Sequence, residues 1–356
     1  MQVLKKSFFS LFSIFLLIIL IIFIDVTLTY LLNIYEKKVF IKHPVYHHTF
    51  GKNKVFYKNG IKYITDSYGF RNSSVKNDQK EYKKSILFIG DSFTEGIGLN
   101  FEDTFVGIIK KSLLKENIKV LNAARSSYSP VIYYKKIKFL IENEKIKFDE
   151  AIIFLDISDV EDESKIYKLD KNGNVISRNL SSEINYNQLG DQKLRVFLHQ
   201  NTTIIYFTSK LINNLLIKKK KGKFDDLISL DYQRDKWTIN EKSYNEYGKN
   251  GTKLMLKYMD MLKKTLDKHN IKMTVAVYPW PSQVYYEDLD SIHVRIWKNW
   301  SNENNIKFIN FFPTFVKKGV SKKEKNIILE KFYIPYDVHF NKTANQMIAE
   351  NFLKNY

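Results

Sequence analysis

Ile86-Leu87-Phe88-Ile89-Gly90-Asp91-Ser92-Phe93-Thr94-Glu95-Gly96 is the stretch on which the fold reading turns. Its first four residues are apolar at every position, so both faces of the strand they form are covered, as in a parallel sheet packed between helices. The chain then breaks at Gly90-Asp91-Ser92, which puts a serine hydroxyl at the carboxyl end of the strand, where such sheets carry their ligand sites. Gly96 and Gly98 relax the turn, and Phe105, Ile108, Ile109 and Leu113 then recur at helical spacing.

Outward from this stretch, strand and helix alternate. Ile86–Ile89, Lys119–Leu121, Ala151–Leu155, Met273–Tyr278 and Lys307–Phe311 read as strands. Between them lie helical stripes: Tyr133, Ile137, Leu140 and Ile141; Met255, Tyr258, Met259, Leu262 and Leu266; Leu289, Ile292, Ile296 and Trp300. A last helix carries Ala344, Met347, Ile348 and Phe352. The alternation predicts an α/β fold with a parallel sheet covered on both faces. It is interrupted over about 166–251, read as an insertion at the carboxyl edge of the sheet. Within it, Lys171-Asn172-Gly173-Asn174 is the signature of a hairpin turn.

The N-terminus is of another kind. Phe8 to Ile24 carries no charge, and apolar character resumes after Asp25 through Leu32. About 20 such residues cross a bilayer. A cleaved signal peptide is the rival reading, but the segment is long for one and lacks a clear small-x-small cleavage site. We read 1–33 as a tail and single-pass anchor, 34–84 as a juxtamembrane segment and 85–356 as the catalytic domain. Lys5 and Lys6 are matched by Lys37, Lys38 and Lys42 beyond the span, but the short tail is expected on the cytoplasmic side of the cytoplasmic membrane and the domain on the extracytoplasmic, periplasmic side.

Lys and Arg number 57 against 38 Asp and Glu, a net charge of +19. Lys, Ile and Asn are abundant throughout, so the excess reflects composition more than a nucleic-acid patch, and no nucleic-acid partner is expected. Lys218-Lys219-Lys220-Lys221-Gly222-Lys223 is the exception: it follows Ile204, Ile205, Leu211, Leu215 and Leu216, and reads as a solvated loop ahead of a contact for anionic lipid head groups or an acidic glycan. With no cysteine, thiol nucleophiles, thiolate metal sites and disulfides are excluded. His43, His47 and His48 lack a carboxylate at useful spacing, so they are expected to be structural, with no metal or cofactor bound.

A serine is a weak nucleophile until a base takes its proton, and a histidine base needs an orienting carboxylate. Asp337 and His339 supply that pair in the loop before the final helix. In a doubly wound sheet, that loop opens on the same edge as Ser92. Two residues apart on extended chain, the two side chains leave on one side, so Asp337 can hold one ring nitrogen while the other faces the serine.

With these blocks in place, the sequence resembles the SGNH (GDSL-type) hydrolase superfamily, in its membrane-anchored bacterial envelope form, over roughly 64–165 and 252–356. The blocks are the Gly90-Asp91-Ser92 stretch, its lead-in Tyr68-Gly69-Phe70-Arg71, and Asp337-Val338-His339-Phe340-Asn341. The resemblance implies a three-layer α/β/α, flavodoxin-like fold, with Ser92 as nucleophile, His339 as general base and Asp337 as its orienter. It implies an oxyanion hole from Ser92, Ala124 and Ser158. The last two stand in variant blocks: Asn122-Ala123-Ala124 where the family usually has Asn-x-Gly, and Asp156-Ile157-Ser158-Asp159 where it has Gly-x-Asn-Asp.

Tyr278 and Trp280, at a strand end on the same edge, are candidates for stacking on a sugar or for buried packing. Trp297 and Trp300 are read as core. The expectation is a membrane-anchored serine esterase or O-acyltransferase that moves an acyl group, acetyl by family habit, on an envelope polysaccharide through a covalent Ser92 ester. The alternative is a catalytically weak glycan-binding or assembly protein.

Overall fold

The computed structural model describes residues 2–58, 60–75, 81–178, 202–205, 207–209, 211–212, 222–230 and 234–356. The chain divides into two compact units, one of Met1–Phe40 with Asn179–Gly222 and one of Ile41–Arg178 with Lys223–Tyr356.

In the first unit, helix α1 (Gln2–Val39) contains a 22-residue apolar run, Leu11–Leu32, long enough to cross a membrane. Its side chains are exposed almost throughout, Leu17 and Ile18 among them, but Asp25 is buried.

Where the second unit starts, at Ile41, β1 (Phe40–His43) pairs with β2 (His47–Phe50), and β3 (Val55–Lys58), β4 (Ile61–Thr65) and β5 (Arg71–Asn72) form a small antiparallel sheet. The main sheet follows: β6 (Lys84–Ile89), β7 (Ile118–Asn122) and β8 (Glu150–Leu155), and, after the hairpin β9 (Tyr167–Leu169) and β10 (Val175–Ser177), β11 (Lys272–Val277) and β12 (Lys307–Asn310). Its spatial order is β12-β11-β8-β6-β7 and every pairing is parallel. Counting only these strands, the order is that of flavodoxin-like folds, whose switch point lies between the first and third strands. Here those are β6 and β8, with Ser92 just beyond the end of β6.

The helices of the second unit include, in chain order, α2 (Ser92–Glu95), α3 (Phe105–Leu114), α4 (Pro130–Glu142), α5 (Lys249–Lys268), α6 (Pro281–Tyr285), α7 (Ile292–Glu303), α8 (Lys322–Phe332) and α9 (Lys342–Asn355). All five expected strands and the α/β/α layering are present. β8 is buried at every residue, as a strand covered on both faces requires. Trp297 and Trp300 lie in the core.

Three readings change. Leu289 precedes α7, which starts at Ile292. The hairpin at Gly173 has one positive φ, at the glycine, and is tied by Asp170, whose side chain accepts from the Asn172 and Asn174 N–H groups. The stretch 166–251 is shared between the units: Trp237 is buried in the second, with its indole N–H on the Ile157 carbonyl at 2.8 Å. Lys218–Lys221 lie outside the described residues.

Candidate active site

Gly90 ends β6 because nothing larger fits: a Cβ there would lie 2.3 Å from Thr94 Oγ1 and 3.0 Å from the Phe154 carbonyl. Asp91 caps α2, its side chain accepting from the Phe93 N–H at 2.9 Å, and Gly96 closes that short helix in the left-handed region at φ 84°. Ser92 is thereby held at the first turn. Its own N–H has no partner among the described residues, as helix geometry leaves it.

The other half of the site is a pinched loop. Tyr333 and Phe340 bridge antiparallel, the Ile334 N–H donates to the His339 carbonyl, and Tyr336 turns the chain at φ 63°. His339 Nε2 lies 2.8 Å from Ser92 Oγ, and His339 Nδ1 lies 2.5 Å from Asp337 Oδ1. The Phe93 ring packs 4.8 Å from the imidazole. Thus the structure brings Ser92, His339 and Asp337 into one line.

Burial alone would lower the basicity of His339, but the Asp337 hydrogen bond and charge outweigh it and raise its pKa above the ordinary 6.5. Asp337 is the converse: burial raises it, and the contact with His339 holds it below 3.8.

The expected oxyanion donors are only partly turned to this purpose. The Ala124 N–H is taken by Asn122 Oδ1 at 3.2 Å, while the Asn122 amide donates to the Thr94 carbonyl at 2.9 Å. The Ser158 N–H donates to Asp156 Oδ1 at 2.7 Å, and its hydroxyl has no partner among the described residues. Tyr278 and Trp280 offer no face to a sugar, because both are buried. Their polar ends point inward instead. The Tyr278 hydroxyl donates to Asp91 Oδ1 at 2.9 Å and the Trp280 indole to Asp156 Oδ2 at 2.7 Å.

Three features of the site go beyond the sequence reading. Asp91 Oδ2 also lies 3.0 Å from Ser92 Oγ; burial and the neighbouring Asp156 charge push the Asp91 carboxyl up to about 7. Arg71 is buried and donates to the carbonyls of Glu95 (2.7 Å), Gly96 (2.5 Å) and Leu99, clamping the exit of α2. Glu95 is buried, and burial alone would raise it, but the Arg125 and Lys58 charges dominate and hold it down at about 2. The Tyr68-Gly69-Phe70-Arg71 lead-in was the available signal for the clamp.

Among the described residues no cluster of His, Asp or Glu could hold a metal. His47 and His48 join their Nδ1 atoms at 2.8 Å and use their Nε2 atoms on Ser177 and the Ser126 carbonyl.

The chain is similar to several solved structures over about three quarters of its length. One is the esterase EstA of Pseudoalteromonas sp. (13% identity, TM-score 0.38, 77% of this chain and 96% of that one). Another is a lipolytic protein of the G-D-S-L family from Desulfitobacterium hafniense (13%, 0.40, 77% and 100%). A third is the acetylxylan esterase Axe2 of Geobacillus stearothermophilus (13%, 0.36, 78% and 96%). These are distant likenesses. No family model matches the sequence, and no curated protein matches it.

Proposed function

We propose that the protein is a serine esterase or O-acyltransferase of the cell envelope, anchored in the cytoplasmic membrane by α1 with its catalytic unit on the extracytoplasmic side. The observation that carries this reading is the Ser92–His339–Asp337 line, with 2.8 and 2.5 Å contacts. Ser92 Oγ attacks the ester carbonyl carbon as its proton passes to His339 Nε2. Collapse of the tetrahedral adduct breaks the bond to the alcohol, which leaves with that proton, and the acyl group stays on Ser92. Water or a sugar hydroxyl then gives its proton to His339 as it attacks the acyl carbon, and collapse breaks the bond to Ser92 Oγ, which takes the proton back from His339. Asp337 keeps its charge and stabilises the imidazolium. The uncharged run of α1 and the Lys5-Lys6 tail support the anchor and its orientation.

The test uses the full chain and Ser92→Ala with p-nitrophenyl acetate, then with an acetyl donor and an envelope polysaccharide. A Ser92-dependent burst, a fluorophosphonate adduct on Ser92 and acetyl release or transfer support the proposal. Equal turnover by both forms overturns it.

A second reading is favoured by the Ala124 N–H lying on Asn122 and by the short Ser158 side chain: a weakly catalytic glycan-binding or assembly protein. Equal, tight polysaccharide binding by parent and Ser92→Ala, with turnover near background, selects it.

A further inference from the structure

Asp25 is the sole charged residue in the apolar run Leu11–Leu32, and it is fully buried. What covers it is another part of the first unit. Its carboxylate accepts from the backbone N–H groups of Thr203 (2.6 Å), Ile204 (2.7 Å) and Ile205 (3.1 Å). One turn along α1, the buried Thr29 donates back to the Asp25 carbonyl at 2.7 Å or meets the Thr203 hydroxyl at 2.8 Å.

The residues that follow are helical at 204, 205, 207–209, 211 and 212. Among these, Leu211 is 59% exposed and Ile212 is 52% exposed. In the sequence, 202–217 holds one charge, Lys210, before Lys218-Lys219-Lys220-Lys221.

Two costs cancel in this arrangement. A carboxylate inside hydrocarbon is unfavourable without partners, and so are the unpaired N–H groups that begin a helix. In water neither group needs the other. Asp25 also sits well within the run, roughly 10 Å of helix short of Leu32 at 1.5 Å per residue. An exposed stripe of Ile204, Ile205, Leu211 and Ile212 is unfavourable in water, yet it is surface of the same character as that of α1.

We infer that residues 202–205, 207–209 and 211–212 are embedded in the same bilayer as α1, starting at the depth of Asp25, with lipid acyl chains covering their apolar stripe. The lysines that follow suit lipid phosphates at the interface. This rests on the reading of α1 as a retained anchor.

Because the chain has no cysteine, single cysteines can be spin-labelled uniquely. The full chain is reconstituted in vesicles of equal parts phosphatidylcholine and phosphatidylglycerol, with labels at Leu17→Cys, Phe207→Cys, Leu211→Cys and the exposed Lys168→Cys. Collision with oxygen reports lipid, and collision with a nickel chelate reports water. The expected result is oxygen-dominated relaxation at 17, 207 and 211 and the inverted ratio at 168. Adding Asp25→Leu is expected to shift the 207 label toward the ratio seen at 168. Water-like ratios at 207 and 211 with position 17 in lipid overturn the inference and leave the anchor standing. A water-like ratio at 17 overturns both. A 207 label unmoved by Asp25→Leu overturns the part given to Asp25.

Discussion

Asp91 and His339 converge on one oxygen atom: Asp91 Oδ2 lies 3.0 Å and His339 Nε2 2.8 Å from Ser92 Oγ. A hydroxyl has one proton to give. When Asp91 is protonated it can donate to Ser92, leaving the serine proton to His339; when ionised, it competes for that proton. His339 must itself be neutral, and its pKa lies above 6.5. The expected kcat/KM profile is therefore a bell, rising as His339 loses its proton and falling as Asp91 ionises near its value of about 7. Asp91→Asn, which keeps the helix cap, should abolish the falling limb and move the rising one to lower pH, because the Asp91 charge helps to raise His339. A pH profile of both forms on an activated acetyl ester checks this.

Asp337→Asn should cost roughly a thousand- to ten-thousandfold in kcat, because the amide cannot stabilise the imidazolium and favours the wrong tautomer. KM and Tm should change little, which steady-state kinetics and a thermal scan would show.

Ser158→Asn supplies a longer donor toward the Ser92 edge. If the oxyanion is under-served, kcat should rise by up to about a hundredfold without a matching change in KM. The same variant in a Ser92→Ala background should show no rise.

Buried carboxyls set the dependence of stability on pH. Burial, with Asp156 and Asp91 nearby, raises Asp159 well above 3.8. Burial raises Asp162 to about 7 against the pull of Arg234, and Glu163 to about 8 against the Val131 N–H. A folded pKa above the unfolded one means that the native state holds more protons, so stability falls as pH rises from about 4 to about 8. Glu95 has the opposite sign, but its window lies between 4.5 and about 2. Burial lowers His43 to about 4, His48 to about 3 and His293 to about 4, which works against this slope up to pH 6.5, so the drop in Tm is expected chiefly between about pH 6.5 and pH 8. Glu163→Gln should flatten that slope.

Arg71→Lys should lower both Tm and kcat, since a single ammonium cannot fork onto the Glu95, Gly96 and Leu99 carbonyls. Ser92 would then be carried on a looser turn. A smaller loss in KM than in kcat separates this from a substrate contact.

The sheet was legible because a strand buried on both faces writes itself as an unbroken apolar run, as in Ile86–Ile89 and Ala151–Leu155. The Ser92, Asp337 and His339 set was legible because each stands in a short local motif. Tyr278 and Trp280 were ambiguous for the same reason that the strands were clear: where both faces are buried, no alternation says which way the residue after a strand points. Arg71 was missed as a clamp because its targets are carbonyls 24 to 28 residues away, which carry no side-chain signature. The split of 166–251 depends on bonds across 178 to 180 residues, from Asp25 to Thr203, Ile204 and Ile205.

The Ser92–His339 contact closes a loop of 247 residues. Loops of that length are among the last to shut as a chain folds, and any opening that frees the loop bearing His339 from the end of β6 separates the two atoms. On the proposed function, Ser92-dependent turnover is thus a gauge of tertiary completeness: partly folded chains, whatever helix they hold, should be chemically silent. In this geometry the candidate nucleophile and base stay apart until the edge of the sheet has closed.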